Sequence, residues 1–159
     1  MRVYLVRHGE ALDQLEDPAR PLSDKGEQDI ERLAALLAQR FKILPGYIFH
    51  SPKQRADQTA DIISKALSLP LSPEETDGLA PGDDPGVWAE QLETMEKDTM
   101  LVGHLPHLSR LASLLLLWDV NREILKFTPG TVVCLEKTGG WRLKWMISPQ
   151  VLKPVGDHP

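Results

Sequence analysis

Val3-Tyr4-Leu5-Val6 is an apolar run without a polar break, and it stops abruptly at Arg7-His8-Gly9-Glu10. A strand with one wet face alternates polar and apolar residues. An unbroken run marks a strand covered on both faces, the kind found inside a parallel sheet flanked by helices. In open α/β sheets, ligands bind beyond the carboxyl ends of such strands. Arg7 and His8 therefore fall where an α/β protein places its chemistry, and Gly9 lets the backbone turn and a ligand come close.

The rest of the chain repeats this grammar. Strand 1 is about Arg2 to Val6, and polar Leu12 to Pro21 reads as a loop. Ser23 can cap a helix from Asp24, with Asp24 and Glu27 in its positive first turn and Ile30, Leu33, Ala34, Leu37 and Phe41 at helical spacing. Tyr47-Ile48-Phe49 is a second buried strand. A helix is predicted to start near Pro52, a first-turn residue, and to carry Ala56, Thr59, Ile62, Ile63, Ala66 and Leu67 on its apolar face until Pro70. Leu71-Ser72 is the candidate third strand, Glu74 to Gly86 an exposed acidic loop, and Val87 to Lys97 a helix. Met100-Leu101-Val102 is another buried strand, and Pro106 opens a strongly apolar helix to about Trp118. Thr131 to Lys137 and Trp141 to Ile147, joined by Thr138-Gly139-Gly140, form an antiparallel hairpin. The expected fold is a single-domain, three-layer α/β/α sandwich. Its central sheet is mostly parallel, with the C-terminal hairpin at one edge.

A chain of 159 residues is the size of one domain. Its net charge of −5 excludes a global nucleic-acid footprint, so any anion site must be a local cluster of cations. The single cysteine, Cys134, sits in an apolar strand and reads as a buried thiol. The apolar start is too short for a signal peptide, and Leu111 to Trp118 is too short to span a bilayer. A soluble, cytoplasmic protein without membrane contact is expected.

Three strand ends carry related groups: Arg7-His8-Gly9 after the first, Ser51-Pro52 with Arg55 after the second, and Gly103-His104 after the strand at 100–102. In a parallel sheet these ends share one rim. Two arginines, two histidines and helix N-termini on that rim suit a phosphoryl group. Arginine forks grip its oxygens in pairs, and a neutral imidazole attacks its phosphorus. His104-x-x-His107 has metal-like spacing, but no cysteine or paired carboxylate completes a ligand set, so neither metal nor cofactor is expected. His50, His107 and His158 have no evident charged partner and read as ordinary residues.

Leu5-Val6-Arg7-His8-Gly9-Glu10 resembles the signature of the histidine phosphatase superfamily, which includes the cofactor-dependent phosphoglycerate mutases. Ser51-Pro52 with Arg55-Ala56 and Gln58-Thr59-Ala60 resembles its second motif, and Val102-Gly103-His104 its third. Arg20-Pro21-Leu22-Ser23 with Gly26, His104-Leu105-Pro106 and Ser148-Pro149-Gln150-Val151-Leu152 are similar to the compact bacterial phosphohistidine phosphatases of the SixA type. The resemblance runs from Met1 to about Leu152, so one domain over 1–152 and a loosely packed tail over 153–159 are expected.

The resemblance implies roles. His8 would be the nucleophile that becomes phosphorylated. Arg7, Arg55 and His104 would hold the phosphoryl oxygens beside Gly9, and Arg20 would approach from its loop. Water would then hydrolyse the phosphoenzyme without a metal. Ser23 fits a helix cap better than a catalyst. Larger members carry a glutamate proton donor, and compact members often have Glu before Leu in that place. Here Asp77-Gly78-Leu79 puts a glycine there. Asp77 or Asp83 would have to substitute, or no dedicated acid exists.

An imidazole leaving group departs already protonated, whereas an alkoxide needs an acid. The gap therefore favours phosphoramidates, and a glutamate at position 78 is expected to narrow the preference if the loop follows the family's geometry. The reading is a phosphohistidine phosphatase acting on a phosphohistidine-carrying protein such as a histidine-phosphotransfer domain. Its alternatives are a small-molecule phosphate ester phosphatase on the same scaffold and an inactive phosphoprotein-binding module.

Overall fold

The computed structural model describes residues 1–152, and the expected tail over 153–159 lies outside the described residues. The elements in order are β1 (Arg2–Arg7), α1 (Asp24–Leu36) running into a π-helical turn (Leu37–Phe41), β2 (Tyr47–His50), α2 (Gln54–Leu67) and β3 (Glu74–Glu75). Then come α3 (Pro85–Thr94), β4 (Thr99–Gly103), α4 (His107–Leu117), β5 (Val132–Lys137), β6 (Trp141–Ile147) and a 3-10 turn (Pro149–Leu152). They build one mixed six-stranded sheet in the order β3-β2-β4-β1-β5-β6. β1, β2, β3 and β4 run parallel, and β5 and β6 add antiparallel strands on the β1 side.

The unbroken apolar run of β1 has the cause its pattern implies. Tyr4 and Val6 face one layer with Ile30 and Leu33 of α1 and Ala60 and Ile63 of α2. Val3 and Leu5 face the other, with Trp88 and Leu92 of α3 and Leu108 and Leu111 of α4. Each fully buried leucine or isoleucine contributes about 1.5–3 kcal/mol of apolar transfer, so the two layers together fix which way the sheet faces. Residues that alternate along β1 thus belong to different cores, and no position between Arg2 and Arg7, the two ends of the strand, is left for a polar residue.

Helix starts follow local chemistry. Ser23 caps α1, its Oγ accepting from the Gly26 N–H at 3.0 Å. Asp84 caps α3 by accepting from Gly86 N–H at 2.8 Å, with Pro85 in the first turn, so that helix opens before the expected Val87. Val87 is exposed, leaving Trp88 and Leu92 to bury the face.

Several expectations are corrected. α2 starts at Gln54 behind Lys53, and Pro52 stays outside the helix. It ends at Leu67 with Ser68 in the left-handed region, before Pro70 is reached, and its buried stripe uses Ala60 and Ser64 in place of Ala66. The π turn inserts an extra residue into the register, so Phe41 packs on the Trp145 ring at 4.6 Å and stays partly exposed. The third strand is Glu74–Glu75, inside the stretch expected to be a loop, and Leu71-Ser72 is not a strand. It pairs with Phe49 and His50 through backbone groups alone, which need no apolar side chain.

Candidate active site

β1, β2 and β4 end together, and the loops that leave them are tied to one another by backbone hydrogen bonds. His8 N donates to Gly103 O at 3.1 Å, and Ser51 N donates to Val102 O at 3.1 Å. Gly130, left-handed at φ +79, sends its N–H to the carbonyls of Arg7 and His8 from the segment before β5. A Cβ there would sit 2.7 Å from Pro149 Cγ, so the glycine is required by both its conformation and its packing.

Within this frame His8 and His104 lie with ring centroids 5.0 Å apart, both buried. His8 Nδ1 is 2.7 Å from Gly9 O. A carbonyl only accepts, so the neutral ring carries its proton on Nδ1 and leaves the Nε2 lone pair free. Burial pulls the His8 pKa down to about 4; the Gly9 bond opposes this, and the fields of Arg55, Arg7 and Arg20 add to it. His104 is pulled down to about 3 by burial first, then by His8, Arg55, Lys53 and His107. Both rings are therefore neutral at neutral pH.

Arg55 projects from the first turn of α2, whose start is held by Thr59 Oγ1 donating to the Arg55 carbonyl at 2.7 Å. The same Oγ1 accepts the Gly9 N–H at 3.1 Å, so one buried hydroxyl joins the loop that carries His8 to the helix that carries Arg55. Arg7 is anchored by Nη1 donating to Phe127 O at 2.8 Å. Arg20 sits in the left-handed region at φ 48, its Nε donates to Leu12 O at 3.1 Å, and its field helps to lower the pKa values of Arg55 and His8. None of the three arginines is paired with a carboxylate among the described residues. The Nε atoms of Arg7 and Arg55 are buried without a partner there. In a protein of net charge −5, this is a local well of uncompensated positive charge, which a bound anion would neutralise.

Two expectations about individual residues change. Gly9 does not offer its N–H to a ligand, because Thr59 takes it. The space its missing side chain leaves is filled by Ile30 Cγ1, 2.8 Å from where a Cβ would stand. Gly78 is not an empty slot for an acid. Its φ is +85, and a Cβ would meet Trp88 Nε1 at 3.2 Å, so a glutamate at 78 would be strained and aimed at the buried indole. Asp77 and Asp83 line a separate groove beside the rim, with Pro52, Gly78 and Val87. The Asp83 carboxylate accepts from Ala80 N–H at 2.9 Å and is engaged in its own turn. His107 is fully buried in the first turn of α4. No group of three or more histidine, cysteine or carboxylate side chains among the described residues is placed to hold a metal. No helix among them is long and apolar enough to cross a membrane.

Sequence reading missed Ser51 and Thr59 as members of the site. Both lie in the motifs it singled out, but a hydroxyl's partner is set by strand ends far apart in the chain.

The model of the histidine phosphatase superfamily, branch 1, matches residues 3–100. The chain belongs to the histidine phosphatase superfamily. It is 31% identical over 160 residues to the phosphohistidine phosphatase SixA of Escherichia coli K12, covering 96% of this chain and 97% of that protein. A solved structure of the protein histidine phosphatase SixA complexed with tungstate superposes with a TM-score of 0.82 at 29% identity, over 96% of this chain and all of that one. An uncharacterized protein of Picosynechococcus sp. is 39% identical over 119 residues, 70% of this chain and 71% of its own length. The histidine phosphatase is thus an enzyme of a metal-independent class. Its activity is expected to survive an excess of chelator, since the arginines gathered here could supply the positive charge a metal supplies elsewhere. Phosphate release measured with and without EDTA checks this, and a loss restored by zinc or manganese would contradict it.

Proposed function

We propose that this histidine phosphatase removes the phosphoryl group from a phosphohistidine carried on another protein, through a phosphohistidine intermediate on its own His8. The observation that carries this reading is the His8 ring, neutral and pinned through Nδ1 to Gly9 O, its Nε2 without a partner and the ring within the field of Arg7, Arg55 and Arg20, none of them paired with a carboxylate among the described residues. The Nε2 lone pair attacks phosphorus, the new N–P bond forms, and the bond to the leaving nitrogen breaks. A substrate imidazole protonated on its other nitrogen leaves as a neutral molecule, so no proton has to be delivered at that moment. Water then attacks the phosphoryl group on His8 and releases inorganic phosphate and the free ring. Arg7, Arg55, Arg20 and His104 hold the three equatorial oxygens and stabilise the charge they gain.

The choice of substrate class rests on two supports. One is the likeness to SixA, whose tungstate complex holds a metal oxyanion of the kind that mimics a phosphoryl group. The other is the chemistry beside the site. Position 78 is closed to an acid by Trp88, and the Asp83 carboxylate is engaged by Ala80, so neither place supplies a glutamate-like donor, and the exposed Asp77 is the one remaining acid of the two named for this loop. The expected result is a kcat/KM for a phosphohistidine-bearing phosphotransfer domain several decades above that for 3-phosphoglycerate or a sugar phosphate. A missing general acid alone accounts for about 10²–10⁴ of it. Phosphate release from both substrate types at one pH decides the matter. If the esters prove the better substrates, the enzyme is a small-molecule phosphatase. Binding of the phosphodomain without turnover would instead make it a phosphoprotein-binding module.

A further inference from the structure

Ser51 ends the turn out of β2, fully buried, and its Oγ lies 2.5 Å from Nε2 of His104. Its backbone N–H is bound to Val102 O of β4, the strand that runs straight into Gly103-His104, so the two residues are held in register by the sheet itself. One more group reaches this hydroxyl: the Lys53 backbone N–H, 3.4 Å away, which can only donate. The hydroxyl therefore accepts from Lys53, and its own proton has one acceptor among the described residues, the His104 Nε2 lone pair.

A neutral imidazole has a single N–H, and the two places for it are not equivalent here. With the proton on Nε2, the ring would donate to Ser51. The serine proton would then be buried without an acceptor, and the Nδ1 lone pair would also be unmet. With the proton on Nδ1, Ser51 donates to Nε2, and only the Nδ1–H lacks a partner. That Nδ1 is indeed buried and unpartnered among the described residues. The His104 ring stands beside the His8 ring and within the field of Arg55, so an incoming phosphoryl oxygen, which only accepts, is a partner that would satisfy this donor. The other tautomer would turn a lone pair toward those oxygens and repel them.

We infer that Ser51 is a positioning residue that holds neutral His104 in the Nδ1–H tautomer, so that His104 serves as a hydrogen-bond donor to the phosphoryl group without carrying a charge. The inference rests on the phosphatase reading for its catalytic consequence but not for the tautomer itself.

The test is 15N NMR of the full chain labelled at histidine, with His104 assigned by comparison with His104→Gln, alongside steady-state kinetics on a phosphohistidine-bearing domain. At pH 7 the His104 ring should show Nδ1 protonated and Nε2 bare. Ser51→Ala should mix the two tautomers and lower kcat roughly tenfold to a hundredfold with little change in KM, a share of what one charge-stabilising donor is worth. Ser51→Thr, which keeps the hydroxyl, should restore both the spectrum and the rate. An Nε2–H ring in the wild-type chain, or a Ser51→Ala variant with wild-type kcat, would overturn the assignment. If Ser51→Ala does not fold, the wild-type spectrum decides. Failure of the wild-type chain to release phosphate from any substrate, with Nδ1 still protonated, would overturn the proposed function and leave the tautomer standing.

Discussion

Replacing His8 with alanine should leave a folded protein with no phosphoenzyme and a rate on the order of 10⁴–10⁶ below wild type, the scale of losing a nucleophile outright. In the proposed mechanism this ring accepts the phosphoryl group, and no other nucleophile among the described residues shares its position. His104 is 5.0 Å away by ring centroids, but its Nε2 is occupied by Ser51. Rapid quench with a radiolabelled phosphohistidine domain should trap acid-labile label on the wild-type chain and none on His8→Ala. Label that persists in the variant would remove His8 from the mechanism. The pH dependence carries a second signature. His8 must be neutral to attack, and its pKa in the fold is near 4, below the ordinary 6.5. The acid limb of kcat/KM assigned to this ring should therefore fall near pH 4.

The same shift acts on stability. Between about pH 6.5 and 4 the unfolded chain binds a proton at this ring that the native state does not. The His8 contribution is thus fully present above 6.5, is lost as pH falls through that window, and levels off below the folded value. A His8→Ala variant should show a shallower acid destabilisation than wild type over this range.

Arg55→Ala is expected to lower kcat by about 10²–10³, the loss typical of one donor aimed at developing charge. The guanidinium is buried at the start of α2, its Nε has no protein partner, and no carboxylate shares its charge among the described residues. The helix start itself should survive the change, because Thr59 binds the backbone carbonyl of residue 55 and not its side chain. Arg55→Lys should recover only part of the rate, since an ammonium keeps the charge but not the paired geometry. Removal of Arg55 also removes one of the like charges that depress His8, so the acid limb should move upward from pH 4 toward the ordinary histidine value. A raised KM with unchanged kcat would show that Arg55 docks the substrate and does nothing more.

Much of this arrangement is legible in the chain alone. Two-sided burial of a central strand leaves no room for a polar residue, so Val3 to Val6 announces both the sheet and the point where chemistry begins. The Ser23 cap, the hairpin turn and the apolar face of α2 are read just as directly, because each is a local bond or a local periodicity. Arg7, His8, Arg55 and His104 stand at strand and helix ends that a parallel sheet brings to one rim whatever its strand order.

Tertiary structure decided the rest. β3 is held by backbone pairing with Phe49 and His50, which two glutamates do not betray. Whether position 78 had room for an acid depended on Trp88, ten residues on, filling that space in a fold with φ +85. The protonation of His8 and His104 followed from burial and from Gly9 O and Ser51 Oγ standing at particular ring nitrogens. Residue types state which groups are available. A tautomer is set by one atom's neighbour at hydrogen-bond distance, and across the separation of 53 positions from Ser51 to His104 only the packed sheet creates that neighbour.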